Sequence, residues 1–188
     1  IHAIQPLPNL SYKIRRGDAL LDQIQGYDFL LEKVQADPQV GALQEEIRRA
    51  QERYFDVNAP AEKHALRLKV LTARLNLSAR YLEIMRDKVG TAQVSLFGET
   101  AREAEARRQR EAQLEKLEAA LGRVRQMQAD LAAIPNEWSN AGDEELVDNF
   151  ESGDESAMTF AWRLDFPEVF GRKGREGFDL VVGNPPFV

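Results

Sequence analysis

The sequence predicts a mainly α protein: a long helical hairpin, antiparallel and coiled-coil-like, joined by a third, shorter helix and set between two strand-rich ends. Three observations predict it. Apolar residues recur at steps of three and four from about Val40 to Ile134, the spacing of one face of an α-helix. Breaks at VNAPAEK and GTAQVSLFGET divide that stretch into one shorter and two longer segments. On both sides the pattern changes to short apolar or aromatic runs punctuated by Gly and Pro, the last of them GFDLVVGNPPFV, and such runs read as strands and turns.

The first region, residues 1–27, contains LSYKIRRGDALL, where Tyr12 and Ile14 followed by Gly17-Asp18 indicate a short strand ending in a tight turn. Region 28–135 is the helical part. Val40, Leu43, Ile47, Ala50 and Tyr54 form one apolar stripe, and Pro60 stands near the start of the next helix. That next helix carries a heptad seam through His64, Leu68, Leu71, Leu75, Ser78, Leu82, Met85 and Val89. A second stripe, Leu66, Val70, Leu77, Tyr81 and Ile84, runs beside it. A helix with so wide an apolar face needs more than one neighbour. His64 reads as a packed residue at the edge of the core.

A charged helix follows from about Thr100 to Ala133, with Leu114, Leu117, Leu121, Val124 and Leu131 as its seam. Its first half, AREAEARRQREA, has almost no large apolar residue. That half is expected to be solvated or to meet a second copy of the chain. Helices of roughly 30 residues would reach about 45 Å. Pro135 ends this region, and residues 136–156, acidic and rich in Asn, Gly and Ser, read as a loop. Residues 157–188 are aromatic and Pro-punctuated, with an apolar strand at Phe178–Val182.

Composition narrows the function. At 188 residues the chain has the size of one domain. With 25 Lys and Arg against 31 Asp and Glu, the formal net charge is −6. A surface that grips nucleic acid everywhere is therefore excluded, and any such contact is local. There is no cysteine, which removes disulfide frameworks, thiolate metal sites and Cys nucleophiles. The two histidines, His2 and His64, are far apart in sequence, and no metal site is expected. No apolar run is long enough to cross a bilayer, and IHAIQPLPNL lacks the features of a signal peptide, so a cytoplasmic location without membrane contact is expected.

The chemistry concentrates at the last residues. The apolar run DLVV delivers Gly183 and then Asn184-Pro185-Pro186-Phe187, a rigid turn at the carboxyl edge of a strand, where open α/β folds place their ligands. The two prolines fix their own φ and bias the preceding residues toward extended geometry. The turn aims the Asn184 amide, the Pro185 carbonyl and the Phe187 ring. Two acceptors and an aromatic face suit an aromatic exocyclic amine, because acceptors on its hydrogens localise the nitrogen lone pair and the ring holds the base by stacking. Trp162, Phe166 and Phe170 read first as core and second as lining of such a pocket. Arg172, Lys173 and Arg175 read as a solvated turn rather than a phosphate contact.

GNPPF after an apolar strand resembles the catalytic motif of amino-methyltransferases that use S-adenosyl-L-methionine. With WRLDFPEVF upstream of it, the stretch is similar to the adenine-N6 DNA methyltransferases of type IIG and related restriction-modification and phage-defence systems. YKIRRGDALL resembles the third motif of that family, which implies that Asp18 hydrogen-bonds the adenine of the methyl donor. The resemblance covers the outer thirds of the chain and implies strand segments of a Rossmann-like methyltransferase sheet with the helical hairpin inserted between them. It further implies an internal fragment, because the glycine-rich donor loop and the later strands are not in the sequence, and an isolated fragment of this kind is expected to be inactive. The implied catalytic residues are Asn184, Pro185 and Phe187, the implied cofactor is S-adenosyl-L-methionine, and the implied partner is DNA.

Other readings stand beside this one. Methylation of a protein glutamine or of an RNA base uses the same tetrapeptide type, and a non-enzymatic helical spacer or interaction module fits the middle of the chain. QVSLF at Gln93–Phe97 resembles the pentapeptide by which bacterial proteins bind the replication sliding clamp. The sequence favours the plainer account, in which Val94, Leu96 and Phe97 cap the hairpin's apolar seam.

Overall fold

Pro38 and Pro60 each open a helix, the position where a missing backbone N–H is no loss and a fixed φ is already helical. The structure, a computed structural model, describes residues 23–25, 27–28, 37–91, 101–137, 141–152, 161–170 and 177–182. It is mainly helical. Helix α1 spans Pro38–Asp56, α2 Pro60–Gly90 and α3 Ala101–Ala132. Asp37 caps α1, its Oδ1 accepting from the N–H of Gln39 at 2.9 Å and of Val40 at 3.3 Å. Pro135 follows directly on the last turn of α3, where Ile134 N–H still reaches the Leu131 carbonyl at 3.1 Å.

The three helices run up, down and up. Across α1 and α2 the ion pairs join Arg53 to Glu62, Glu46 to Lys69 and Asp37 to Arg80; one number falls as the other rises, which only antiparallel helices allow. Across α2 and α3 the same reciprocity links His64 to Pro135, Asn76 to Gln128 and Arg86 to Glu118. The expected helical hairpin with a third, shorter helix is therefore present. His64 is 4% exposed, and its Nε2 lies 2.8 Å from the Pro135 carbonyl oxygen. A carbonyl only accepts, so Nε2 carries the hydrogen.

Helix α2 is the centre of the molecule. Both of its apolar stripes are used: Leu68, Leu71, Leu75 and Leu82 are buried on one, and Leu66, Val70, Leu77 and Tyr81 on the other. From α1 come Val40, Ile47 and Tyr54, and from α3 come Leu117, Leu121, Val124 and Leu131. Residues 102–112 of α3 contribute nothing fully buried, as their lack of large apolar side chains requires.

The acidic stretch expected to be a loop is different. Residues Ala141–Ser152 form a helix, α4. Val147 is fully buried there, and Asp148 and Glu151 both accept from Arg67 Nη2 of α2 at 2.6 Å. Burial alone would lower the Arg67 pKa, but Glu151 and Asp148 outweigh it and raise it above its ordinary value. One apolar anchor and two charge-assisted bonds override the poor helix propensity of Asn, Gly and Ser.

Two short helices complete the described chain, α5 (Trp162–Asp165) and α6 (Pro167–Phe170), the latter packed on α1. Beta structure among the described residues is one antiparallel hairpin, β1 (Gln23–Ile24) with β2 (Tyr27–Asp28). The strand expected as buried at Phe178–Val182 is also corrected. These residues have no ladder partner among the described residues, and Leu180, Val181 and Val182 are 79%, 74% and 85% exposed. An apolar strand is buried only when neighbouring strands or a covering layer meet it. No helix among the described residues is long and apolar enough to cross a membrane.

Candidate functional site

Phe178 sits at the hub of an aromatic cluster. Its ring centroid lies 5.5 Å from Trp162, 5.4 Å from Phe166 and 5.6 Å from Phe170, with interplanar angles of 75°, 76° and 88°. Trp162 and Phe166 meet at 5.9 Å. The three contacts of Phe178 are edge-to-face, each worth about 0.5–1.5 kcal/mol beyond the buried area. The spacing of the other three rings, four residues apart at Trp162, Phe166 and Phe170, turns them to one side of the α5–α6 pair. Pro167 separates the two helices by holding Phe166 out of helical geometry, at φ −129° and ψ 58°.

Two local devices bring Phe178 in. Gly177 has φ +130°, a conformation that L side chains rarely adopt, and it bends the chain just before the ring. The cluster itself is fastened to the bundle through Asp165. That carboxylate accepts from Arg74 Nη2 of α2 at 2.7 Å and from the Ala161 N–H at 3.0 Å. Asp165 and Arg74 are nearly buried, with side chains 4% and 12% exposed. The extended segment leaving Phe178 is therefore aimed by a fixed anchor on helix α2.

The sequence reads Trp162, Phe166 and Phe170 as core or pocket lining, and the structure brings all three together around a fourth ring. The role of Phe178 as hub escapes the sequence reading, which takes it only as the first residue of a strand. Its signal is the Gly-Phe pair that follows a four-residue aromatic repeat. Asp18, Asn184, Pro185, Phe187 and the Gln93–Phe97 stretch lie outside the described residues. So do Arg172, Lys173 and Arg175. The described chain stops at Val182, one residue before Gly183. No group of three or more His, Asp or Glu side chains placed to hold a metal occurs among the described residues.

The class is that of the methylases. A family model described as Eco57I restriction-modification methylase matches residues 68–188, and the chain belongs to that family. The match begins in the third turn of α2 and runs through α3, α4, the aromatic cluster and Asn184-Pro185-Pro186-Phe187. Neither a curated protein nor a solved structure matches the chain.

Proposed function

We propose that this chain carries the catalytic turn of an S-adenosyl-L-methionine-dependent, adenine-N6-specific DNA methyltransferase of a restriction-modification or defence system. The carrying observation is that the family match over residues 68–188 takes in both the aromatic cluster and Asn184-Pro185-Pro186-Phe187. The substrate is a planar exocyclic amine on a base turned out of its stack. Asn184 accepts one amino hydrogen through its side-chain oxygen, and the Pro185 carbonyl accepts the other. Phe187 stacks on the base. The chain's contribution to rate is positioning and the placement of acceptors where positive charge develops on the nitrogen.

The chemistry of the available groups fits the cofactor. Asp18 offers a carboxylate acceptor to an adenine amino group. When bound, S-adenosyl-L-methionine supplies an electrophilic methyl group. On this reading the extended segment Phe178–Val182 and the 1–27 segment contribute to a Rossmann-like sheet, where the exposed Leu180, Val181 and Val182 would be covered.

Transfer of labelled methyl to DNA, RNA and protein in competition, by an enzyme containing this chain, tests the reading. N6-methyladenine in DNA is the expected product. Label in protein glutamine or in RNA, with DNA left unlabelled, would overturn it.

A further inference from the structure

Helix α3 and the β1–β2 hairpin enclose an open groove of about 640 Å³ between them. The hairpin is firmly seated: Ile24 is fully buried, and Gln25, at φ 52° in the connecting turn, accepts from Arg123 Nε at 3.3 Å. Tyr27 lines one wall. Gln109, Gln113, Lys116 and Arg123 line the other, and the small Ala112 and Ala119 between them keep it open.

Its charge is unlike that of the rest of the molecule. Acids outnumber bases in this chain by 31 to 25, yet no carboxylate among the described residues lines the groove. Of the acids of α3, Glu111 pairs with Arg107 at 3.1 Å and Glu118 with Arg86 at 3.7 Å, while Glu105 accepts from Gln109 at the groove's end. Lys116 and Arg123 have no carboxylate within ion-pair distance among the described residues. Burial pushes the Tyr27 phenol up, with Arg123 opposing, so the hydroxyl stays neutral and able to donate.

The spacing suits a polyanion. Lys116 and Arg123 are seven residues apart, two helical turns, which puts both cations on one face about 10 Å from each other along the axis. The polar wall from Gln109 to Arg123 extends about 21 Å by the same rise. Two cations on one face with amides between them offer a row of donors to neighbouring phosphates of one strand. Amide side chains between cations are common donors to phosphate oxygens.

We infer that the groove between α3 and the β1–β2 hairpin holds one strand of the DNA sugar-phosphate backbone. The inference rests on DNA being the substrate and not on the chemistry at Asn184. Contacts of this type position a duplex without reading its sequence.

The test is fluorescence anisotropy of a labelled DNA duplex with this chain across a salt series, beside an RNA duplex of the same sequence. The double change Lys116→Ala with Arg123→Ala should weaken DNA binding about tenfold at low salt and lower the salt slope by about 2, one unit for each phosphate that is no longer neutralised. Gln113→Glu, which adds a carboxylate to the groove without touching the hairpin contact, should weaken binding in the same direction and covers the case in which the double variant misfolds. Arg107→Ala, paired with Glu111 outside the groove lining, should change nothing. An unchanged slope in the folded groove variants, no DNA binding by the unaltered chain, or tighter binding of RNA would each overturn the inference. If an enzyme containing this chain methylates DNA and its DNA binding ignores the groove variants, only the groove falls; if the groove variants behave as expected but the methyl group lands on a DNA base other than adenine, only the adenine-N6 reading falls.

Discussion

Arg74 of α2 donates to Asp165 of α5 across 2.7 Å, with both side chains almost out of solvent. A surface ion pair is worth up to about 1 kcal/mol, whereas removing one partner of a buried pair strands the other charge and costs about 3–5 kcal/mol. Arg74→Met should therefore lower unfolding stability in urea by about 3 kcal/mol or more. Adding Asp165→Asn should recover part of that loss, because Asn removes the stranded charge and still offers an acceptor to the Ala161 N–H. A loss under about 1 kcal/mol for the single variant would mean the pair is not shielded as described.

Acid should act first on α1. Hydrogen bonds from Arg48, then Arg49, hold Glu45 at about 2 against an ordinary 4.5. The hydrogen bond from Arg80, with the Val40 and Gln39 N–H groups behind it, lowers Asp37 as well. Both shifts are downward, so the stability they contribute is complete above about pH 4.5 and is lost as pH falls toward 2. Helicity followed by circular dichroism should be flat from neutral pH to about 5 and decline below it. Asp37→Asn keeps a capping oxygen but no ionisable group, and should show a shallower decline from a lower starting stability.

Gln51 is 4% exposed on α1, and its Nε2 has no hydrogen-bond partner among the described residues. An orphaned buried donor costs about 1–3 kcal/mol relative to a paired one. Gln51→Leu, close in size and apolar, should raise stability by about 1 kcal/mol, read as a higher urea midpoint. A drop would show that the amide meets a need that its neighbours do not reveal.

Phe178→Ala should release the extended segment from its three neighbouring rings. Phe178 is 39% exposed, so the stability loss should fall below that of a fully buried ring, at about 1–3 kcal/mol. Trp162 emission, isolated by a Trp138→Phe background, should shift to the red as water replaces the Phe178 edge. Wild-type emission in the variant would count against the cluster as the anchor.

In an enzyme containing this chain, Asn184→Ala should abolish methyl transfer and leave DNA affinity nearly intact, since only the acceptor is removed. Phe187→Ala should instead weaken capture of the turned-out base, by about 1–3 kcal/mol. Retained turnover in the Asn184 variant would end the catalytic assignment.

The helices are legible in the sequence where periodicity and proline agree. Pro38, Pro60 and Pro135 mark two starts and one end, and the two stripes of α2 foretell a helix with several neighbours. Helix α4 is hidden because its composition argues for a loop, while Val147 and the Arg67 ion pairs that hold it are tertiary facts. The β1–β2 hairpin escapes notice because two residues per strand carry no alternation, and the Gln25-Gly26 connection is its one signal. Of the candidate site, the ring repeat Trp162, Phe166 and Phe170 is legible in the sequence, and the Phe178 hub and the Arg74–Asp165 anchor are not. Strand propensity at Leu180–Val182 reads the same whether or not a sheet surrounds it.

The Phe178 hub also acts as a leash. Asn184 lies six residues beyond it, and a chain of that length reaches at most about 20 Å however it is folded. The Asn184 turn is thus tethered to the helical bundle, at an effective concentration bounded by that reach. Shortening the leash would restrict where the turn can reach, and lengthening it would dilute the turn, even with Asn184 to Phe187 unchanged.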